Sequence, residues 1–181
     1  SERHHFMIFN RMQERVSFLK QAIYLLIACC AISTVSFSQN LSQHNWYFGS
    51  TPDGIRFNRG SNQAKAVTDQ AIPFGTGGSA VVTDPATANL LFYTDGNRVY
   101  DATHRLMPNG SGLGANTTAN QPVVVCPVPG QANKYFVFTN NANFTTGGSI
   151  NRSVVDMALF GNAVFPSPGL GNVETANKNV A

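Results

Sequence analysis

The sequence predicts an all-β body behind an N-terminal signal helix, and three observations carry that prediction. After Gln39 no stretch shows a helical apolar period; short runs rich in Val, Ile, Phe and Tyr alternate with Gly, Asn, Asp and Pro clusters. Charged residues make up only 12% of the 181-residue chain, too few for the solvated face of a long helix. Finally, the body repeats itself. Ala80-Val81-Val82-Thr83-Asp84-Pro85 followed by Asn89 to Asp95 is echoed by Pro122 to Pro127 followed by Asn133 to Asn140, which sets Thr94 and Thr139 45 residues apart.

A period of ~40–45 residues built from short antiparallel strands is the blade period of a β-propeller, in which each small sheet buries its faces against its neighbours. Residues 39–181 have room for about three blades, where a closed propeller has roughly four to eight. The expectation is therefore a partial β-propeller, truncated at its C-terminal side, whose final blade has an uncovered face. A β-sandwich containing two similar hairpins is the alternative.

The leader comes first in the chain. Gln21 to Val35 is uncharged and apolar, with Arg11, Arg15 and Lys20 before it and Ser36-Phe37-Ser38-Gln39 after it. Basic flank, short apolar stretch and small residues at the end make a secretory signal peptide cleaved after Ser38. Leu26-Ile27-Ala28-Cys29 gives a rival lipoprotein reading, opposed by the apolar residues that continue through Ile32. The residues before Met7 read as upstream read-through, so residues 1–38 form the leader and 39–181 the module.

The strands follow in order. Trp46-Tyr47-Phe48 and Ile55-Arg56-Phe57 flank a Gly49 to Gly54 turn. Ser79 to Thr83, Asn89 to Thr94 and Arg98-Val99-Tyr100 come next, and Asp95-Gly96-Asn97 is a strong hairpin signal between the last two. Val123 to Cys126, Tyr135 to Thr139 and Ser153-Val154-Val155 complete the set.

Charge and cysteine content narrow the function. The leader carries +2 of the formal +3, so the body is nearly neutral and has no basic cluster with which to hold nucleic acid. Cys126 is the body's lone cysteine, which excludes an intrachain disulfide there and reads as a small buried hydrophobe. No zinc-type spacing or HExxH is present. Asp101-Ala102-Thr103-His104 comes nearest to a catalytic pair, but no nucleophile elbow accompanies it and the segment reads as a strand end and turn. Asp84, Asp95, Asp101 and Asp156 are the carboxylates a glycoside hydrolase could use, and they stand where Asp makes turns. Gly75-Thr76-Gly77-Gly78 precedes a strand, so it is no phosphate cradle. Asp95-Gly96-Asn97 lacks the ligand count of a calcium loop. Among Trp46, Tyr47, Phe92, Tyr93, Tyr135, Phe136 and Phe138, most read as core, with one or two rings left to stack on sugars. The residues thus designate no catalytic, cofactor or metal site.

Taken together, the motifs resemble the N-terminal region of secreted and surface proteins of the Bacteroidetes that are gliding-motility-associated and carry a type IX secretion sorting domain. The resemblance runs through Asn45-Trp46-Tyr47-Phe48-Gly49, Gly54-Ile55-Arg56-Phe57, Asn89 to Gly96 and Met107-Pro108-Asn109-Gly110. It continues through Val99, Gln121, Tyr135 with Phe138-Thr139, Ser153 to Met157 and Lys178-Asn179-Val180. It implies a non-enzymatic, propeller-like adhesion module on the outer surface or secreted, using the type IX machinery for export and binding an extracellular protein or glycan. A propeller-type glycoside hydrolase or a glycan-binding domain is the alternative.

Overall fold

The computed structural model describes residues 15–21, 41–49, 51–61, 63–70, 74–142 and 147–181. The chain divides into two compact units, Ser1–Ser38 and Gln39–Ala181. In the first, residues 15–21 are helical. The apolar stretch 22–35, Cys29, Cys30 and the cleavage position lie outside the described residues, and no described helix is long and apolar enough to cross a membrane.

The described residues of the second unit are all-β: eleven strands in three antiparallel sheets. Sheet I joins β1 (Asn45–Tyr47), β2 (Gly54–Phe57) and β3 (Ala64–Val67). Sheet II is the meander β4 (Ala80–Thr83), β5 (Leu90–Thr94), β6 (Arg98–Asp101) and β7 (Leu106–Ser111). Sheet III repeats that meander with β8 (Val123–Pro127), β9 (Lys134–Asn140), β10 (Ile150–Asp156) and β11 (Asn172–Val173). The only other regular element among the described residues after Gln39 is a single 3₁₀ turn, Thr175–Asn177.

Side chains alternate across each strand, so sheet II serves two cores. Phe92 and Val99 face sheet III and are sealed with Met107, Leu113, Val137 and Val155. Tyr93 and Tyr100 face the other way and pack with Tyr47 and Phe74. The Tyr93 ring lies 4.8 Å from that of Tyr47 and 5.3 Å from that of Tyr100. Burying these rings, at roughly 2 kcal/mol per large side chain, is what holds sheet I on sheet II.

Sheets II and III stack in the same sense. A Cβ on Gly78, just before β4, would lie 3.2 Å from the Asn120 carbonyl and 3.3 Å from Pro122, just before β8. The far ends of the same two strands share one groove through Thr83, Pro85, Cys126 and Pro127. The outermost strands also meet, Asn109 of β7 donating to the Val173 carbonyl of β11 at 3.2 Å. Sheet I departs from this pattern. Asn45 at the start of β1 donates to Thr83 at the end of β4 (3.1 Å), while Ser79 donates to the carbonyl of Tyr47 (2.6 Å). β1 thus runs against β4.

Three details differ from the sequence reading. β3, β7 and β11 are additional strands. Cys126 is half-exposed rather than buried, because the even-numbered residues of β8 face away from sheet II. The conformational freedom expected across Asp95-Gly96-Asn97 is used at Gly96 (φ 84°), where Asp95 accepts from the amides of Asn97 and Arg98 to close the turn.

Candidate functional site

The aspartates are positioned by the turns they close. Each stands at or just past the end of a strand and accepts from amides two or three residues ahead. Asp84 holds Ala86 and Thr87 at 2.8 and 2.9 Å, Asp95 holds Asn97 and Arg98, and Asp156 holds Ala158 at 2.9 Å. Asp101 is fully enclosed. It accepts from the Thr103 amide (2.8 Å), the Thr103 hydroxyl (2.6 Å) and the amide of Asn162 (2.8 Å), which arrives from the β10–β11 connection. Burial alone would raise its carboxyl pKa, but these hydrogen bonds outweigh burial and hold it below the ordinary carboxylate value.

Asp101 and His104 are not brought together as a side-chain pair. His104 adopts a left-handed backbone (φ 63°) that turns its ring towards sheet I. There Nδ1 lies 3.2 Å from the Tyr93 hydroxyl and Nε2 lies 3.7 Å from Asp69. Asp69 accepts from the Tyr47 hydroxyl (2.7 Å) and from Arg56 (3.0 Å), and Arg56 donates to the Tyr47 oxygen (2.9 Å) and to Asn45 (2.9 Å). Burial, then the Asp69 hydrogen bond, raises the Tyr47 phenol well above its usual value, so it stays neutral. For Asp69, burial opposes ionisation but loses to the Tyr47 hydrogen bond and the Arg56 charge, so the carboxyl stays ionised. The cluster clamps sheet I to sheet II with every strong group already partnered. It presents no activated nucleophile.

The free polar groups gather at the opposite end of β4, where the loops leading into β4 and β8 meet. Gly77 donates to the Thr117 carbonyl (2.9 Å), Ala115 to that of Gly96 (3.2 Å) and Asn116 to that of Asn140 (2.9 Å). Gly75 and Gly77 permit this contact, since a Cβ on either would lie 2.5 or 2.3 Å from a carbonyl of the 115–122 loop. A cleft of about 270 Å³ opens beside it, lined by Asn116, Thr118, Asn120, Gln121 and Asn140 with Ala119 and Ala142. Asn116 shapes the wall by accepting from Thr118 and donating to the Ala142 carbonyl (2.9 Å), and Asn140 accepts from the Ala142 amide (2.9 Å). The exposed amides of Asn120 and Gln121 make no hydrogen bond among the described residues. Among the described residues no ionisable side chain lines the cleft.

Sequence reasoning did not single out Asn116, Asn120 or Asn140, nor the Arg56–Asp69 pair. The density of amides in Asn116 to Gln121 was the available signal, but Asn there reads equally well as turn chemistry. Among the described residues no three His, Cys, Asp or Glu side chains converge as metal ligands would. The chain matches no family model, no curated protein and no solved structure at the level of a significant match.

Proposed function

We propose that this chain is a non-catalytic interaction module of a larger secreted or cell-surface protein, exported behind a cleaved signal peptide, whose loop-end cleft takes a neutral glycan. The observation that carries the proposal is the composition of that cleft among the described residues: amides and a hydroxyl, with two free amides at its mouth and no acid or base. Side-chain amides both donate and accept, which suits vicinal sugar hydroxyls, and a site without ionisable groups has nothing with which to move a proton in glycosidic cleavage. The way sheets II and III stack, innermost strand on innermost and outermost on outermost, supports a propeller arrangement, with sheet I as a reversed element at one end. The sequence resemblance supports a Bacteroidetes surface protein that uses type IX export.

The test is a glycan-array screen followed by calorimetry on the hits. We expect retention of neutral oligosaccharides, lost when Asn120 and Gln121 are both changed to Ala, with the bound sugar recovered intact. Hydrolysis of a retained glycan by the wild-type chain would overturn the non-catalytic reading.

A further inference from the structure

The inner polar atoms of the amide cleft have fixed roles, because the backbone decides which way they point. Asn140 accepts from the Ala142 amide at 2.9 Å. A backbone N–H can meet only an acceptor, so this contact holds the carboxamide oxygen in the turn and leaves Nδ2 on the other side. That nitrogen has no hydrogen-bond partner among the described residues, and solvent reaches it. Thr118 is fixed in the opposite sense. Its hydroxyl and its amide both donate to the Asn116 side-chain oxygen, at 2.7 and 3.1 Å, while Asn116 Nδ2 donates to the Ala142 carbonyl. With its proton committed, the Thr118 hydroxyl offers only lone pairs. The cleft thus joins an obligate donor, Asn140 Nδ2, to an obligate acceptor, Thr118 Oγ1. Asn120 and Gln121 can turn either way, and the rest of the described lining is the methyls of Ala119 and Ala142.

Sugar substituents differ in what they need from such a lining. A hydroxyl donates and accepts but brings no apolar atom. An ammonium only donates and needs a carboxylate, which the described lining lacks. An acetamido group has a carbonyl that only accepts, an N–H that only donates, and a methyl that gains by leaving water. It matches the fixed donor, the fixed acceptor and the methyl wall together, and a cleft of about 270 Å³ has room for it.

We infer that the cleft selects an N-acetylated amino sugar, with Asn140 as the residue that determines specificity. Asn140 Nδ2 donates to the acetamido carbonyl, the acetamido N–H is received by Thr118 or a mouth amide, and the methyl lies against Ala119 and Ala142. The inference rests on the neutral-glycan reading proposed above and names the sugar class within it.

The test is calorimetry on the full chain with disaccharides that differ only in one kind of substituent: cellobiose (hydroxyl), N,N′-diacetylchitobiose (acetamido) and chitobiose (ammonium). The acetamido form should bind roughly tenfold or more tightly than the hydroxyl form, and the ammonium form no better than the hydroxyl form. Asn140→Asp keeps the oxygen that accepts from the Ala142 amide, so the melting temperature should hold, but it replaces the donor with a charged acceptor. This variant should lose the acetamido preference and favour the ammonium form. Equal binding of the hydroxyl and acetamido forms by the wild type would overturn the inference and leave the neutral-glycan reading standing. So would an acetamido preference that survives Asn140→Asp. If no neutral oligosaccharide is retained at all, the glycan reading falls and this inference with it.

Discussion

Replacing Asp101 separates a structural carboxylate from a catalytic one. Its two oxygens receive the Thr103 amide, the Thr103 hydroxyl, the Arg105 amide (3.2 Å) and the Asn162 side chain, and the residue has no exposed surface. Hydrogen bonds to a charged acceptor contribute about 1.5–3 kcal/mol each in isolation. They are not additive here. The turn amides of Thr103 and Arg105 regain water when the carboxylate is removed, because both residues are exposed. Asn162 keeps its second acceptor, the Leu106 carbonyl at 2.8 Å. The net cost of Asp101→Ala is then about 3 kcal/mol, equivalent to a fall of roughly 10 °C in melting temperature for a body of this size.

Asp101→Asn keeps one acceptor but opposes an NH₂ to the Asn162 amide donor, for an intermediate loss of about 1–2 kcal/mol. The pH dependence adds a second signature. The folded-state pKa of Asp101 is depressed, so its contribution is present above the unfolded value of about 3.9 and is lost as pH falls through the folded value. The gap between wild type and Asp101→Ala should therefore be full at pH 7 and narrow progressively below about pH 4. Calorimetric melts of both proteins across that range are the assay. An Asp101→Ala variant that melts within a degree of wild type at pH 7 would refute the reasoning.

Tyr47→Phe removes the hydroxyl that joins Arg56 to Asp69, and should cost about 1–2 kcal/mol in urea unfolding; an unchanged midpoint would mean that the clamp between sheets I and II contributes nothing. Gly77→Ala places a methyl 2.3 Å from the Ala119 carbonyl, backbone that cannot swing aside, and should destabilise by roughly 1–3 kcal/mol. Gly60→Ala, where among the described residues the new methyl meets just the Asn58 side chain at 3.6 Å, is its control and should melt close to wild type. N-terminal sequencing of secreted material should begin at Gln39 or within a residue or two; a lipidated Cys29 terminus would replace the signal-peptide reading.

What could be read from the sequence divides along a physical line. Interactions that close within three or four residues are legible, because residue type and spacing alone determine them. The Asp84, Asp95 and Asp101 turns and the Thr94–Val99 hairpin pairing are of this kind. β3 was missed because Ala64-Lys65-Ala66-Val67 has little β propensity and is held by its pairing with β2. β7 was missed because Pro108 and Gly110 read as a loop, although a proline is tolerated on this edge strand of sheet II. The partner of His104 lies beyond any local rule, since Asp69 reaches it only once one sheet has settled on another. The amide cleft, likewise, needs two loops that meet only after sheets II and III have stacked.

Periodicity occupies the ground between these cases. An alternating strand records one buried face, and an unbroken apolar strand records two. β5 carries that second signature and has both its neighbours in place. β9 carries it with one neighbour present. Phe136 and Phe138 on its other face are half-buried, beside Val154 at 5% exposure. The same apolar face continues across the register to Val124 and Cys126 of β8. On it lies the Arg152 guanidinium, over the Phe136 ring at 5.4 Å from the centroid. A solvated face would have been expected to place Thr, Lys or Glu at those positions, so composition and register together record a face that is apolar although only half-buried.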